Sequence, residues 1–426
     1  GRGIDNLLAF FSEFELSPTD AAVILAHTPN IVLMREVLEE TTRRALNGLL
    51  LGTLELRPHV ARKVLRYTPQ LLTRQGLGRA EEILLMLSSL GVSLRKIARD
   101  FDLPKLLTRS PSLLFRLVSF LSSDSVRMTP ANIAELLKRK ECNPLINAVV
   151  PHLINQDETG KRVACTESVD DIYKRMLTTA SILRHEIGTE DLGKVIIAYP
   201  SVLLLDADTI ILPTAKYLME GLGIWKDDLP RVLQLYPFLL GYSIEDMERV
   251  ASYLTSLGVQ EDSLPSIFRA FPALLSMTVE DMEHVVNFLK EIGISNVGRF
   301  IARLPPVLGY SVESELRPKW EYVSRICLYP SFELSAFPAF FSYPLERVIK
   351  ARFEYLQDIK RIPTQLLALD LVVRHGDRDF ATLVAKDTDG GAAFGEYMKM
   401  RGIRKKRRPK KKRKYQRRKS HFNEIR

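Results

Sequence analysis

Pro237-Phe238-Leu239-Leu240-Gly241-Tyr242-Ser243-Ile244-Glu245-Asp246-Met247 is the stretch that decides the fold. Proline has no amide N–H and restricts the residue before it, so a helix ends at Pro237 and the chain turns. Ser243, with Glu245 and Asp246 behind it, starts a second helix, because an N-cap hydroxyl and acids in the first turn suit the helix dipole. Val250, Tyr253, Leu254 and Leu257 follow at helical steps as far as Gly258, where glycine can adopt the left-handed stop.

The same punctuation recurs along the chain. It reads Pro69-Gln70-Leu71-Leu72, Pro111-Ser112-Leu113-Leu114, Pro200-Ser201-Val202-Leu203, Pro272-Ala273-Leu274-Leu275, Pro305-Pro306-Val307-Leu308 and Pro338-Ala339-Phe340-Phe341, with Pro29-Asn30-Ile31-Val32 as a weaker first copy. From Pro200 onward the prolines lie 37, 35, 33 and 33 residues apart, a spacing that fits one two- or three-helix unit per repeat. The gap from Pro111 to Pro200 exceeds one unit. It predicts a degenerate copy near Pro151 and an insertion over Asn155–Thr166, within 152–168. No alternating strand-like run recurs, so the pattern predicts an all-α fold, an α-solenoid of about eight repeats over 1–400. A single unit cannot bury its own apolar face; stacked neighbours bury it, and the Leu, Val and Phe residues of the pattern are read as inter-repeat core.

Length agrees, because 426 residues exceed a typical single core. Hydrophobic residues make up 46% and charged residues 26%, and no segment approaches the roughly 20 apolar residues of a membrane span, so no membrane partner is expected. Cys142, Cys165 and Cys327 are far apart, which indicates neither a disulfide framework nor a zinc site. The chain opens Gly1-Arg2-Gly3 without an initiator Met or an apolar signal core, as a processed protein would. The net charge of +10 is unevenly placed. Arg401–Arg426 holds 15 Lys and Arg against Glu424 alone, while the rest of the chain carries 46 basic and 50 acidic side chains.

In proline phase, N-cap and glycine stop, the repeats over Leu229–Val259, Leu264–Ile294 and Phe337–Leu356 resemble the mitochondrial transcription termination factor (mTERF) family, a likeness that extends from Leu16 to about Lys386. The resemblance implies an organellar α-solenoid, mitochondrial or alternatively of the plastid, that binds double-stranded DNA or structured RNA. Roles implied by the family are transcription termination, intron splicing, ribosomal RNA maturation and organellar ribosome assembly.

Aligning the units on their prolines places Lys63, Lys105, Lys194, Arg231 and Arg299 six residues before the stop, with Val23, Ser266 and Phe332 in the other copies. The neighbours Val195, Ile196, Val232 and Leu233 are apolar, so the cation belongs to the opposite helix face. One cation per repeat would track a phosphate backbone without reading bases; the competing reading is an ordinary solvated face. Arg66, Arg109, Arg269 and Arg303, two or three residues from a stop, would widen the stripe. The tail adds Arg404, Lys405, Lys406, Arg407, Arg408, Lys410, Lys411, Lys412, Arg413, Lys414, Arg417, Arg418 and Lys419. Such a run repels itself and lacks apolar residues, so it does not fold alone; it suits ribosomal RNA, against the alternatives of a nuclear targeting signal or a non-specific arm. Tyr415 could stack on a base.

Catalytic signals are poor. Arg374-His375-Gly376 matches a phosphatase motif only if a strand precedes it, and Asp387-Thr388-Asp389-Gly390-Gly391 lacks the bidentate acid of a calcium loop, having Met398 at the twelfth position, so it reads as a surface turn. No phosphate-cradling glycine loop, metal cluster or nucleophile–base pair is visible. The expectation is a non-catalytic protein without cofactors whose partner is nucleic acid, ribosomal RNA before duplex DNA, with ribosomal proteins as further partners. The leading role is component or assembly factor of an organellar ribosome, the second a regulator of transcription termination or RNA processing, and the third, of a different class, a protein-interaction scaffold.

Overall fold

A proline-initiated turn needs a preceding residue outside the α region, and the structure supplies it each time. The computed structural model describes residues 11–13, 15–27, 35–138, 143–149 and 168–402, and every regular element among them is helical, with no strand. Thr68, Tyr199, Tyr236, Phe271, Leu304 and Phe337 have φ between −132° and −145° and ψ between 58° and 81°, and the proline after each opens a short 3₁₀ turn. In all six turns the proline and the residues two and three places on are buried. Burying one such Leu, Val or Phe contributes roughly 1.5–3 kcal/mol.

The repeat therefore runs as a short first helix, a 3₁₀ stop, an extended residue, a capped second helix and a left-handed exit. First helices are seven residues long at Leu192–Ala198, Leu229–Leu235, Leu264–Ala270 and Val297–Arg303. The N-cap expectation holds in detail. The Asp246 amide donates to the Ser243 hydroxyl at 3.1 Å and that hydroxyl donates back to the Asp246 carboxylate at 2.7 Å; Thr278 with Asp281, and Ser168 with Asp171, repeat the exchange. Pro213 and Pro318 lie inside second helices, and the turn before each is wound one residue wide: the Leu212 and Arg317 amides bond Ala207 and Val312, five residues back.

The exits show a regularity that glycine alone had hidden. Gly188, Gly223, Gly258 and Gly293 have positive φ at intervals of 35 residues, and Leu328 continues the series with φ 60°. Glu55, Arg127, Arg361 and Lys386 take the same left-handed conformation at other helix ends.

Pro111 departs from expectation. It opens the long helix Pro111–Ser122 instead of a 3₁₀ stop, because Ser110 before it is extended at φ −75°, ψ 120° and the chain runs straight into helix. The Pro29 copy, the Pro151 copy, the insertion at 155–166, Cys142 and Cys165 lie outside the described residues.

The chain divides into two compact units, residues 1–252 with 262–276 and residues 253–261 with 277–426. In the first, successive stops touch: the Tyr199 and Phe238 rings are 4.9 Å apart and the Tyr236 and Ser276 hydroxyls 2.9 Å apart. In the second, Phe300 meets Phe341 edge-on at 6.1 Å. There Gly298 is pressed against an exit: a Cβ on it would stand 2.4 Å from the Gly258 carbonyl carbon and 2.5 Å from the Leu257 oxygen. The last helices are held by buried ionic groups. The Arg352 guanidinium, 3% exposed, donates to the Val372 and Val373 carbonyls at 3.1 and 2.9 Å and to Asp377 at 3.1 Å. Asp387 is buried, accepts the Tyr355 hydroxyl at 2.9 Å and pairs with Lys360, so it is no surface residue; burial, helped by that carboxylate, raises the Tyr355 pKa. Asp389, as the turn reading expects, is exposed and accepts three backbone amides at the start of the Ala392–Met400 helix.

Candidate nucleic-acid interface

The five cations six residues before a stop all reach solvent, each followed by a buried apolar pair: Val64 and Leu65, Leu106 and Leu107, Val195 and Ile196, Val232 and Leu233, Phe300 and Ile301. The apolar pair anchors the helix and leaves the cation outward. Lys105, Lys194, Arg231 and Arg299 occupy the third position of their helices, and Lys63 the sixth of Pro58–Tyr67.

In the three seven-residue helices that third position is electrostatically adverse, whereas Lys105 lies midway along Leu103–Leu107 and also in its last turn. A helix N-terminus carries partial positive charge, and a cation there costs about 0.3–1 kcal/mol. Two of the four are partly relieved by an acid at their own N-cap, Lys105 by Asp102 at 3.4 Å and Lys194 by Asp191 at 2.7 Å, which also accepts the Lys194 amide. The Asn296 side chain caps the fourth of these helices through the Arg299 amide at 2.8 Å, leaving the guanidinium unneutralised. Lys63, Arg231 and Arg299 have no ion-pair partner among the described residues. Of the non-basic copies, Ser266 and Phe332 are exposed and Val23 half-buried.

The flanking arginines do other work than expected. Arg109 is 4% exposed and donates to Asn147 at 2.6 Å, so it cannot widen a surface stripe; the straight run into the Pro111 helix turns it inward. Arg66 pairs with Asp20 at 3.3 Å, Arg269 with Asp228 at 2.7 Å, and Arg303 donates to the Ser335 carbonyl at 3.2 Å. Each ties its repeat to a neighbour. Sequence spacing could not separate these staples from the outward cations, because both carry the same residue types on one short helix.

Acids gather elsewhere. Glu245 and Glu248, Glu280, Asp281 and Glu283, and Glu313 and Glu315 are exposed in the first two turns of second helices, and Ile244–Ser256 and Val279–Glu291 carry net charge opposite to the outward cations of first helices. A phosphate backbone is repelled by the second and attracted by the first.

Arg404–Lys419 lie outside the described residues, as does Tyr415. The chain leaves for them at Arg401, whose guanidinium pairs with Glu354 and donates to the Tyr397 hydroxyl at 3.1 Å. A helix, Leu369–Val373, and not a strand, precedes Arg374-His375-Gly376. Cys327 is buried, which pushes its thiol up to about 12. Among the described residues no three His, Cys, Asp or Glu converge to hold a metal, and no helix is long and apolar enough to cross a membrane.

Comparison with known proteins falls on the regular repeats. The mTERF family model matches residues 186–381. "Transcription termination factor MTERF5, chloroplastic" of Arabidopsis thaliana is 33% identical over 78 residues, 18% of this chain and 16% of that protein. "Transcription termination factor MTERF2, chloroplastic", also of Arabidopsis thaliana, is 46% identical over 56 residues, 13% of this chain and 9% of that protein. The matched segments thus span less than a fifth of either relative. The model runs from the Gly188 exit through the five stops at Pro200, Pro237, Pro272, Pro305 and Pro338, and over these repeats the chain is similar to the mTERF family.

Proposed function

We propose that the protein is a non-catalytic nucleic-acid-binding protein of an organelle that tracks a phosphate backbone on the outward cations of its first helices. The observation that carries this reading is the recurrence of Lys194, Arg231 and Arg299 at a helix position that disfavours cations, in register with Lys105 midway along its shorter helix. A solvated face would not choose it; a polyanion would. Arg404–Lys419, with Lys63 at the other end of the series, add sequence-independent affinity.

The sharpest form is a component or assembly factor of an organellar ribosome that holds ribosomal RNA, for which the basic tail is the support. The second form, regulation of transcription termination on duplex DNA, draws support from the printed names of the two relatives. Both relatives are called chloroplastic, which favours the plastid over the mitochondrion. Sequencing of nucleic acid crosslinked to the native protein tests the whole. Ribosomal RNA supports the first form, a discrete DNA site the second, and recovery of neither removes the proposal.

A further inference from the structure

Between the Gly293 exit and the Pro338 stop, two positions that are glycine and cation in neighbouring repeats become apolar and stay exposed. The exit is Leu328, left-handed at φ 60° and 64% exposed; the cation six residues before the stop gives way to Phe332, 66% exposed. A left-handed leucine is strained where glycine is not, and a side chain in solvent recovers nothing for that strain. A third apolar residue, Leu366, 82% exposed, lies in the segment that is bonded to theirs. The Tyr329 hydroxyl bonds the carbonyls of Thr364 and Leu367, the latter at 2.8 Å, and the Leu369 amide donates to Glu333 at 3.4 Å. Tyr329 and Glu333 adjoin Leu328 and Phe332 in the chain, while Thr364 and Leu367 bracket Leu366, so these bonds join the backbone segments that carry the three exposed side chains.

Their rim is basic. Arg303 bonds the Ser335 carbonyl, one turn on from Phe332 in Ser331–Ala336, and Arg361, three residues before Thr364, is exposed without an ion-pair partner among the described residues. We propose that Leu328, Phe332 and Leu366 form a docking site for an acidic amphipathic helix of a partner protein, apolar residues on the patch and carboxylates at Arg303 and Arg361. The rim argues the choice of occupant. A second copy would bring basic rim to basic rim, and the 401–426 tail would bring 15 more cations to it. Phosphate would satisfy the arginines and leave the apolar centre uncovered.

The test uses the full chain and a fluorescent synthetic peptide of roughly five helical turns, with Leu at i, i+4, i+7 and i+11 and Glu elsewhere, against a scrambled peptide of the same composition. Anisotropy should show saturable binding of the first peptide only. Phe332→Ser should weaken it at least about tenfold, as loss of an aromatic anchor does, and Arg361→Glu should weaken it too. Leu328→Gly separates docking from packing: it relieves backbone strain, so the protein should melt no lower while peptide binding falls. Absence of peptide binding, or unchanged binding by Leu328→Gly and Phe332→Ser, overturns the proposal. So does a Phe332→Ser protein that loses RNA and not peptide, which would make Phe332 a base-stacking platform, or a wild-type dimer that Phe332→Ser dissociates.

Discussion

Under the proposed function Lys194 would serve two partners at different times. Its ammonium lies 2.7 Å from Asp191, whose carboxylate also accepts the Lys194 amide, so the free protein neutralises the cation that nucleic acid would use. Asp191→Asn keeps the amide acceptor and removes the charge. It should leave the thermal midpoint nearly unchanged and tighten RNA binding several-fold at low salt, whereas Arg231→Ala, removing an unpaired cation, should weaken binding and lower the salt slope by about one. Equal effects of Arg231→Ala and a control at exposed Lys216 would show that the register has no special role. Asp171 gives a pH test. Its pKa is lowered first by the Ser168 hydroxyl and then by Lys174. A depressed carboxylate contributes stability that is present above its unfolded pKa, about 4, and is lost as pH falls through the folded value. Asp171→Asn should therefore flatten the fall in melting temperature below about pH 4 and change little of the pH dependence near neutrality.

Among the elements, the 3₁₀ stop is the one the sequence displays most openly, because proline and two buried apolar residues leave a fixed signature. Leu240, 0% exposed, lies at the centre of one, and Leu240→Ala should cost about 2–5 kcal/mol in urea unfolding. Gly298→Ala should also destabilise, although alanine favours helix, since its methyl would meet the backbone of the Gly258 exit and not a movable side chain; a raised midpoint would contradict the geometry. Other parts were not legible for definite reasons. The left-handed exits at Glu55, Arg127, Leu328, Arg361 and Lys386 carry no glycine, so only backbone angles reveal them. Pro111 has the stop motif but opens a helix, because the outcome depends on the backbone of Ser110, which composition does not fix. The outward cations were visible in the proline alignment. Their adverse place at helix N-termini, and the diversion of Arg109 to Asn147, required the structure.

At the scale of the molecule, charge is unevenly placed: outward cations on five first helices, exposed acids early in Ile244–Ser256 and Val279–Glu291, and 15 of the 61 basic residues in the last 26. If about eight tail cations meet phosphates of single-stranded RNA, log affinity should fall with log salt at a slope near −5 to −6. Deleting Arg401–Arg426 should flatten that slope and weaken binding to any RNA while leaving the preferred site unchanged, because placement belongs to the repeats. An unaltered slope would assign the tail to targeting instead. The regular exits have a consequence for how such a chain can change its length. With Gly188, Gly223, Gly258, Gly293 and Leu328 each 35 residues apart and each ending a second helix in the same backbone conformation, any two of them are equivalent splice points. Duplication or loss between them would add or subtract a whole unit without shifting the phase of proline and cap, so under the proposed function reach along a nucleic acid would change in steps of one repeat.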